Sequence, residues 1–257
     1  MSHVATLISS PRRPAVADKV VRAAADVLET AAKPVWLHET VAADLFFEPR
    51  GAGPDRLAAS LRQALDGAPV DVVIQPARGR RKRLFLADMD STMIEQECID
   101  ELADYVGLKT EVSAITERAM RGEIAFEPAL RKRVALLKDL PVGVVDEIIA
   151  KRISLMPGGR TLVGTMRAHG AYTCLVSGGF TVFTGPLAAH IGFHEHRSNA
   201  LVVSSERLAG RVEEPILGRE AKIATLIELR ERLGLCHEDT LAVGDGANDL
   251  AMLGEAG

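Results

Sequence analysis

Leu84–Phe85–Leu86–Ala87–Asp88–Met89–Asp90–Ser91–Thr92 decides the fold of this chain. Its first four residues form a short apolar run and read as a buried strand. Two aspartates follow at once. Open α/β sheets place their ligands at the carboxyl ends of their strands, which is where Asp88 and Asp90 stand. Carboxylates at i and i+2 can converge on one point if the chain turns after the first, and they repel unless a cation or proton intervenes. The stretch therefore suggests a divalent metal, a nucleophilic carboxylate and a neighbouring acid/base.

Two later stretches repeat the arrangement. Ala171–Val176 is a buried strand that runs into Ser177–Gly178–Gly179, and Asp239–Val243 is a short strand that runs into Gly244–Asp245–Gly246–Ala247–Asn248–Asp249. Side by side in a parallel sheet, the three strand ends share one edge and one site. That site gathers four carboxylates, from Asp88, Asp90, Asp245 and Asp249, too many to stay ionised together without a cation, and oxygen-only ligands favour Mg²⁺. Between the first and second strands lie only helical patterns: Glu95–Val106, Thr110–Arg121 stopped by Gly122, Glu127–Lys138 and Val142–Ile153. A helical block inserted straight after a sheet strand reads as a cap, at about 94–156. Helices over Thr161–His169, Phe180–Ile191 and Arg219–Leu233 restore the alternation, and His194–Glu214 holds short strands including a hairpin. The fold class is α/β, a doubly wound parallel-sheet (Rossmann-like) core with a helical cap insertion.

Commoner motifs fail on inspection. Asp88-x-Asp90-x-Thr92 opens like a calcium loop, but Met93 stands where its sixth-position Gly belongs and Ile99 where its twelfth-position Glu belongs. Gly244-x-Gly246-x-x-Asp249 departs from a dinucleotide fingerprint at its last position. Ser177–Gly178–Gly179 is either a plain turn or, before a helix, a hydroxyl with free N–H groups for a phosphate. Lys222 shares a helical stripe with Leu226, Leu229 and Leu233; a lysine so placed either meets an anion in a cleft or snorkels out at the helix end. Arg133 sits in an apolar arc of Leu130, Val134 and Leu137, which suits a carboxylate held in a cleft. Glu97 shares a face with Glu101 and Asp104, opposite Ile99, Leu102, Ala103 and Val106, and by periodicity belongs to a solvated face.

The first 77 residues follow another pattern. Strands at His3–Ile8, Val35–His38, Asp44–Glu48 and Val70–Gln75, with helices at Ala15–Ala32 and Asp55–Leu65, give the order β-α-β-β-α-β of a small ferredoxin-like α+β domain. Arg78–Gly79–Arg80–Arg81–Lys82–Arg83 then reads as a solvated basic linker, and 84–257 as the second domain. Over all 257 residues, Lys plus Arg is 31 against 35 Asp plus Glu, and the net charge of −4 argues against nucleic acid as the main partner. Cys98, Cys174 and Cys236 form no CxxC pair and fit a reducing cytosol. No apolar run reaches membrane-spanning length and Met1–Arg13 lacks a signal peptide's apolar core, so a soluble cytoplasmic protein is expected.

In order, Asp88-Met-Asp90-Ser-Thr, Ser177-Gly-Gly, Lys222 and Gly244-Asp-Gly-Ala-Asn-Asp249 resemble the four motifs of the haloacid dehalogenase-like phosphatases. Glu95-Gln-Glu97-Cys-Ile-Asp-Glu and the cap stretch from Phe126 to Pro141 resemble the phosphoserine phosphatase branch, and the N-terminal part resembles weakly a regulatory amino-acid-binding (ACT-like) domain. The resemblance implies Mg²⁺-dependent hydrolysis of O-phosphoserine, the last step of serine synthesis. Asp88 would be the nucleophile that becomes a phosphoaspartate, and Asp90 the general acid and then base. Asp88, Asp245 and the Asp90 carbonyl would hold Mg²⁺, with Asp249 supporting. Ser177, Gly178, Lys222 and Asn248 would bind phosphate. Glu97 would meet the substrate ammonium, reversing its periodicity reading, and Arg133 the carboxylate, with Met120 and Phe126 shaping the closed cap. An amino-acid effector and a homodimer are further expectations. So is a strand and helix beyond Gly257, which such members usually carry and whose loss would reduce stability or activity. Ala87 and Met89 depart from the usual Phe-Asp-Phe-Asp and change only packing. Two other readings stay open: a phosphatase or phosphotransferase for another small phosphate such as phosphohomoserine, and an amino-acid-sensing protein on a degenerate scaffold.

Overall fold

The computed structural model describes residues 1–51, 53–121 and 123–257 and, apart from the side chain of Met120, their side chains. Gly122, read above as a helix stop, lies outside them. The chain divides into two compact units, Met1–Arg80 and Arg81–Gly257.

In the first unit, β1 (His3–Ile8), β2 (Val35–His38), β3 (Ala42–Phe47) and β4 (Asp71–Pro76) form one sheet in the order β2-β3-β1-β4. Every neighbouring pair is antiparallel. With α1 (Asp18–Val27) and α2 (Pro54–Ala64), this is the expected ferredoxin-like arrangement. Alternate strand residues Ala5, Leu7, Ala43 and Leu45 pack with Val20, Ala24 and Leu61 of the helices. The first helix is shorter at both ends than its apolar spacing suggests, because Pro14 precedes it and Glu29 adopts a left-handed φ of 49° just after it.

The unit boundary falls inside the basic run, and Arg80 is not a solvated linker residue. Its guanidinium donates to both carboxylate oxygens of buried Asp44, at 2.8 and 3.1 Å, and to the Thr6 hydroxyl at 3.2 Å. Sequence pattern hid this because the partners lie 36 and 74 positions away.

The second unit is built on β5 (Leu84–Ala87), β6 (Tyr172–Phe180), β7 (Glu195–Asn199) and β10 (Thr240–Val243), parallel throughout in the order β10-β5-β6-β7. All four β5 residues are buried, since helices cover both faces. Phe85 and Ala87 face one side, where α7 (Gly159–Ala168) and α8 (Thr181–Ile191) supply Val163, Phe183 and Leu187. Leu84 and Leu86 face the other, against Leu226 and Leu229 of α9 (Arg219–Arg232) and Met252 of α10 (Leu250–Glu255). Each such buried leucine contributes roughly 1.5–3 kcal/mol.

The cap consists of α3 (Cys98–Tyr105), α4 (Lys109–Met120), α5 (Phe126–Leu136) and α6 (Val144–Lys151). Its Leu102, Leu130, Val134 and Ile148 belong to the same apolar cluster as Phe85 and Ala87, so the cap shares the core's interior. Helices alone do not complete it. The hairpin of β8 (Leu201–Ser204) and β9 (Arg207–Val212) is stitched to the loop after α5 by Asp139 N–H to the Leu208 carbonyl at 2.8 Å and Leu208 N–H to the Leu140 carbonyl at 2.9 Å.

Two elements differ from expectation in ways that matter to the site. The helix read from Glu95 begins at Cys98, because Ile94 bridges Leu155 and Glu95 N–H donates to the Ser154 carbonyl at 3.0 Å, which keeps this segment out of the helix. Ser177–Gly179 continues β6 instead of forming a plain turn, with a shift in its pairing to β7 between Val176 and Phe180. Asn199 Nδ2 secures that irregular stretch by donating to the Gly178 carbonyl at 2.8 Å.

Candidate active site

The carboxyl ends of β5, β6 and β10 meet below the cap at a cavity of about 500 Å³. Asp88, Asp90, Ser177, Gly178, Asp245 and Asn248 line its core side; Glu97, Phe126 and Arg133 line its cap side. Two of the expected residues, Lys222 and Asp249, stand behind the wall.

The chain turns sharply after Asp88. The Met89 carbonyl accepts from the N–H groups of Met93 and Ile94 at 2.9 and 3.1 Å, and Ser91 takes a left-handed φ of 54°. The two aspartates thereby diverge in surroundings. Asp88 Oδ1 accepts its neighbour Met89's N–H at 2.8 Å, while Oδ2 lies 2.8 Å from Lys222 Nζ. Asp90 Oδ1 accepts the Cys98 N–H at the start of α3, at 2.9 Å, and Oδ2 faces Ser177 Oγ at 3.4 Å. Burial pushes both carboxyls up to about 6. Lys222 opposes this at Asp88, the Cys98 N–H opposes it at Asp90, and the Asp88 charge reinforces it at Asp90.

Lys222 is only 2% exposed, and its Nζ also lies 2.7 Å from Asp249 Oδ1. The helix phase that placed it beside Leu226 and Leu229 is thus real, and the anions that allow its burial are Asp88 and Asp249. Asp249 Oδ2 accepts the Gly246 N–H at 3.1 Å, and Asp245 Oδ1 accepts the Thr92 hydroxyl at 3.1 Å. Asp88, Asp245 and Asp249 each present an oxygen within 4.8 Å of the others. One ammonium against three clustered carboxylates leaves a negative excess, and the donors are hard oxygens. Such a set fits a divalent cation of the Mg²⁺ type. The Asp90 carboxylate is turned away from this cluster towards Cys98 and Ser177.

Gly244 is required by close approach. A Cβ there would stand 2.3 Å from Asp249 Cγ and 2.6 Å from its Cβ. Gly244→Ala is expected to displace Asp249 and destabilise the fold by about 1–3 kcal/mol. A lower thermal unfolding midpoint by circular dichroism, with a loss of metal affinity in calorimetry, would register both effects.

On the cap side, Glu97 stands at the N-cap of α3 with extended φ and ψ of −98° and 111°, so helical periodicity does not apply to it. Its Oε1 accepts the Ser91 hydroxyl at 2.7 Å. Burial in the cavity, then Asp90 and Asp245, hold its carboxyl above the ordinary value. Asp104 and Glu101, which share its sequence pattern, instead accept from Arg152 at 2.6 and 3.3 Å. Arg133 is half-buried and held by neutral acceptors: Nη1 donates to Thr116 Oγ1 at 3.3 Å and Nε to the Ala129 carbonyl at 3.4 Å. Burial lowers its pKa, and the more distant carboxylates of Asp100 and Glu97 oppose that. Phe126 covers Gly178, its Cζ lying 3.4 Å from where a Cβ would stand. Met120's side chain lies outside the described residues.

Sequence reasoning missed Asp100 and Thr116, both of which line the cavity. Asp100 lies in the first turn of α3, just after Glu97, and its nearness to the Glu97 carboxylate follows from the turn into the helix, which helical spacing does not describe. Thr116 meets Arg133 across two helices, and no local pattern signals that.

The profile of the haloacid dehalogenase-like hydrolases matches residues 85–254, and the chain belongs to that family. A phosphoserine phosphatase from Polaromonas is 47% identical over 180 residues, covering 68% of this chain and 76% of its own length. A solved family hydrolase from Salmonella enterica serovar Typhi superposes with a TM-score of 0.82 at 28% identity, covering 100% of this chain and 88% of the other. A phospho-aspartyl intermediate analogue of a phosphoserine phosphatase superposes at 0.63 with 40% identity, covering 69% of this chain and 84% of that one. The chain spans from about half to about four fifths of the length of the first curated relatives it matches. Among the described residues no helix is long and apolar enough to cross a membrane.

Proposed function

We propose that this chain is a Mg²⁺-dependent phosphoserine phosphatase, hydrolysing O-phosphoserine to serine and phosphate through a phosphoaspartyl intermediate. One observation carries the reading: Arg133 and Glu97 face the same cavity as the paired aspartates Asp88 and Asp90. A phosphorylated amino acid offers three charges. The aspartate end takes its phosphate, Glu97 its ammonium and Arg133 its carboxylate.

Asp88 attacks phosphorus as the bond to the serine oxygen breaks, and Asp90 gives that oxygen its proton. Asp90 then accepts a proton from water, whose oxygen attacks the phosphoaspartate. The acyl-phosphate bond breaks, phosphate leaves and Asp88 is restored. Lys222 fixes Asp88 and sets a positive charge beside the transferring group. Ser177, Gly178 and Asn248 hold the phosphoryl oxygens, and Phe126 closes over Gly178. Asp88, Asp245 and the Asp90 carbonyl would hold Mg²⁺, with Asp249 in support. When bound, the ion would neutralise charge on the transferring phosphoryl group.

Phosphate release from a panel of phosphorylated metabolites, including phosphohomoserine, with and without Mg²⁺, tests the reading. O-phosphoserine should be turned over with the highest kcat/KM, and chelation should stop it. Faster turnover of a phosphate lacking the amino-acid charges would reject the substrate, and activity that survives chelation would reject the metal.

Thr116 offers a finer test of carboxylate reading. Its hydroxyl donates to the Val112 carbonyl at 3.1 Å, which leaves oxygen lone pairs to accept from Arg133. Thr116→Val keeps the shape and removes that acceptor. The KM for O-phosphoserine should rise about three- to tenfold, in line with one hydrogen bond to a charged group. The kcat should stay near normal, and Thr116→Ser should restore the KM.

A further inference from the structure

At the amino ends of the core strands, opposite the catalytic edge, a groove of about 250 Å³ is lined by Arg83, Arg167, Tyr172, His194, Leu233 and Leu235, with no carboxylate among its lining residues. Arg83 immediately precedes β5, Tyr172 opens β6 and His194 immediately precedes β7. The groove therefore shares no residue with the cavity described above.

Its cations remain available. Within the second unit, Lys82 is engaged by the carbonyls of Glu238 and Gly257 at 2.8 and 3.1 Å. Among the described residues Arg83 has only Asp239 at 3.9 Å as an acidic partner, and it keeps 60% of its side chain exposed. Arg167 donates to the Gly192 carbonyl, a neutral acceptor that leaves its charge uncompensated. Glu195, an acid close by, is already taken by Arg232 at 2.6 Å, Arg197 at 2.7 Å and the Tyr172 hydroxyl at 2.8 Å.

A directional donor completes the set. Thr173 N–H donates to His194 Nδ1 at 3.1 Å, so the neutral imidazole carries its proton on Nε2. Among the described residues Nε2 has no hydrogen-bond partner. The ring is fixed by stacking on Tyr172, with centroids 5.0 Å apart and planes 9° from parallel. Two guanidiniums and one oriented N–H beside an apolar wall form a receptor for a tetrahedral oxyanion, since planar guanidinium forks match phosphate oxygens.

We propose that this groove binds phosphate, free or as the monoester of a small organic molecule, at a site separate from the catalytic cavity. Arg83 and Arg167 pair with its oxygens, and His194 Nε2–H donates to a third. Leu233 and Leu235 accept the apolar part of an ester.

Imidazole NMR of the full chain at mildly alkaline pH tests this, with the His194 signal assigned through His194→Gln. Titration with inorganic phosphate should shift that signal saturably, with half-saturation of about 1 mM. In Arg83→Gln/Arg167→Gln the affinity should weaken at least about tenfold, while the circular dichroism spectrum stays unchanged. Butyl phosphate in place of inorganic phosphate, binding tighter, would assign the apolar wall to an ester; equal affinity would assign the site to the free ion. A shift that is linear in phosphate, that persists in the double variant or that acetate reproduces at the same concentration would overturn the proposal. None of these readouts requires turnover, so they stand apart from the test of the substrate.

Discussion

Asp88→Asn should abolish hydrolysis of O-phosphoserine while leaving the fold intact. The substitution keeps the size of the side chain and its hydrogen bond from Met89 N–H, and removes the anionic oxygen 2.8 Å from Lys222. An amide is a poor nucleophile toward phosphorus, so the step that forms the covalent intermediate is lost. Phosphate-monoester hydrolysis is among the slowest uncatalysed reactions, and removing a nucleophile from such machinery costs on the order of 10⁴-fold or more. Lys222 retains Asp249 at 2.7 Å, which prevents an unpaired buried ammonium. Phosphate release over hours and a thermal melt check the two halves. Turnover above about one part in a hundred of the native rate would remove Asp88 from the nucleophile's role.

Most of the core was legible because its signals are local. Leu84–Ala87 is apolar throughout because both faces of β5 are covered, and the polar residues after it mark a strand's carboxyl end. Lys222 declared its burial through helix phase, since α9 is regular around it. Periodicity misreads Glu97 for a physical reason: contacts to Ser154 and Leu155 keep residues 94–97 out of the helix, and a period of 3.6 describes only residues with helical backbone. Family resemblance recovered its place in the cavity where periodicity could not. Arg80 and Thr116 escaped both routes. Their partners, Asp44 and Arg133, are brought near by tertiary packing, and neither spacing nor composition encodes that. The β8–β9 hairpin shows the same limit: its strands are readable, but its attachment to the loop after α5 rests on backbone groups any sequence could supply.

Arg133→Ala should separate recognition of the amino acid from phosphoryl transfer. Arg133 is held by Thr116 and the Ala129 carbonyl, neither of which cancels its charge, and it lines the cavity on the cap side. If it reads the substrate carboxylate, the variant leaves that carboxylate desolvated beside Glu97 and Asp100 with no cation. Truncating one partner of such a pair typically costs about 2–5 kcal/mol, which is roughly 30- to 5000-fold in binding. The kcat/KM for O-phosphoserine should fall by at least about 30-fold, mainly through KM. An aryl phosphate has no carboxylate to lose, so its kcat/KM should change by less than about threefold. Parallel losses for both substrates would mean that Arg133 supports the cap and not the carboxylate. Arg133→Lys sharpens the test, because a lysine restores the charge without the planar fork. It should recover part of the O-phosphoserine affinity and leave the aryl phosphate unaffected, which mere loss of cap packing would not produce.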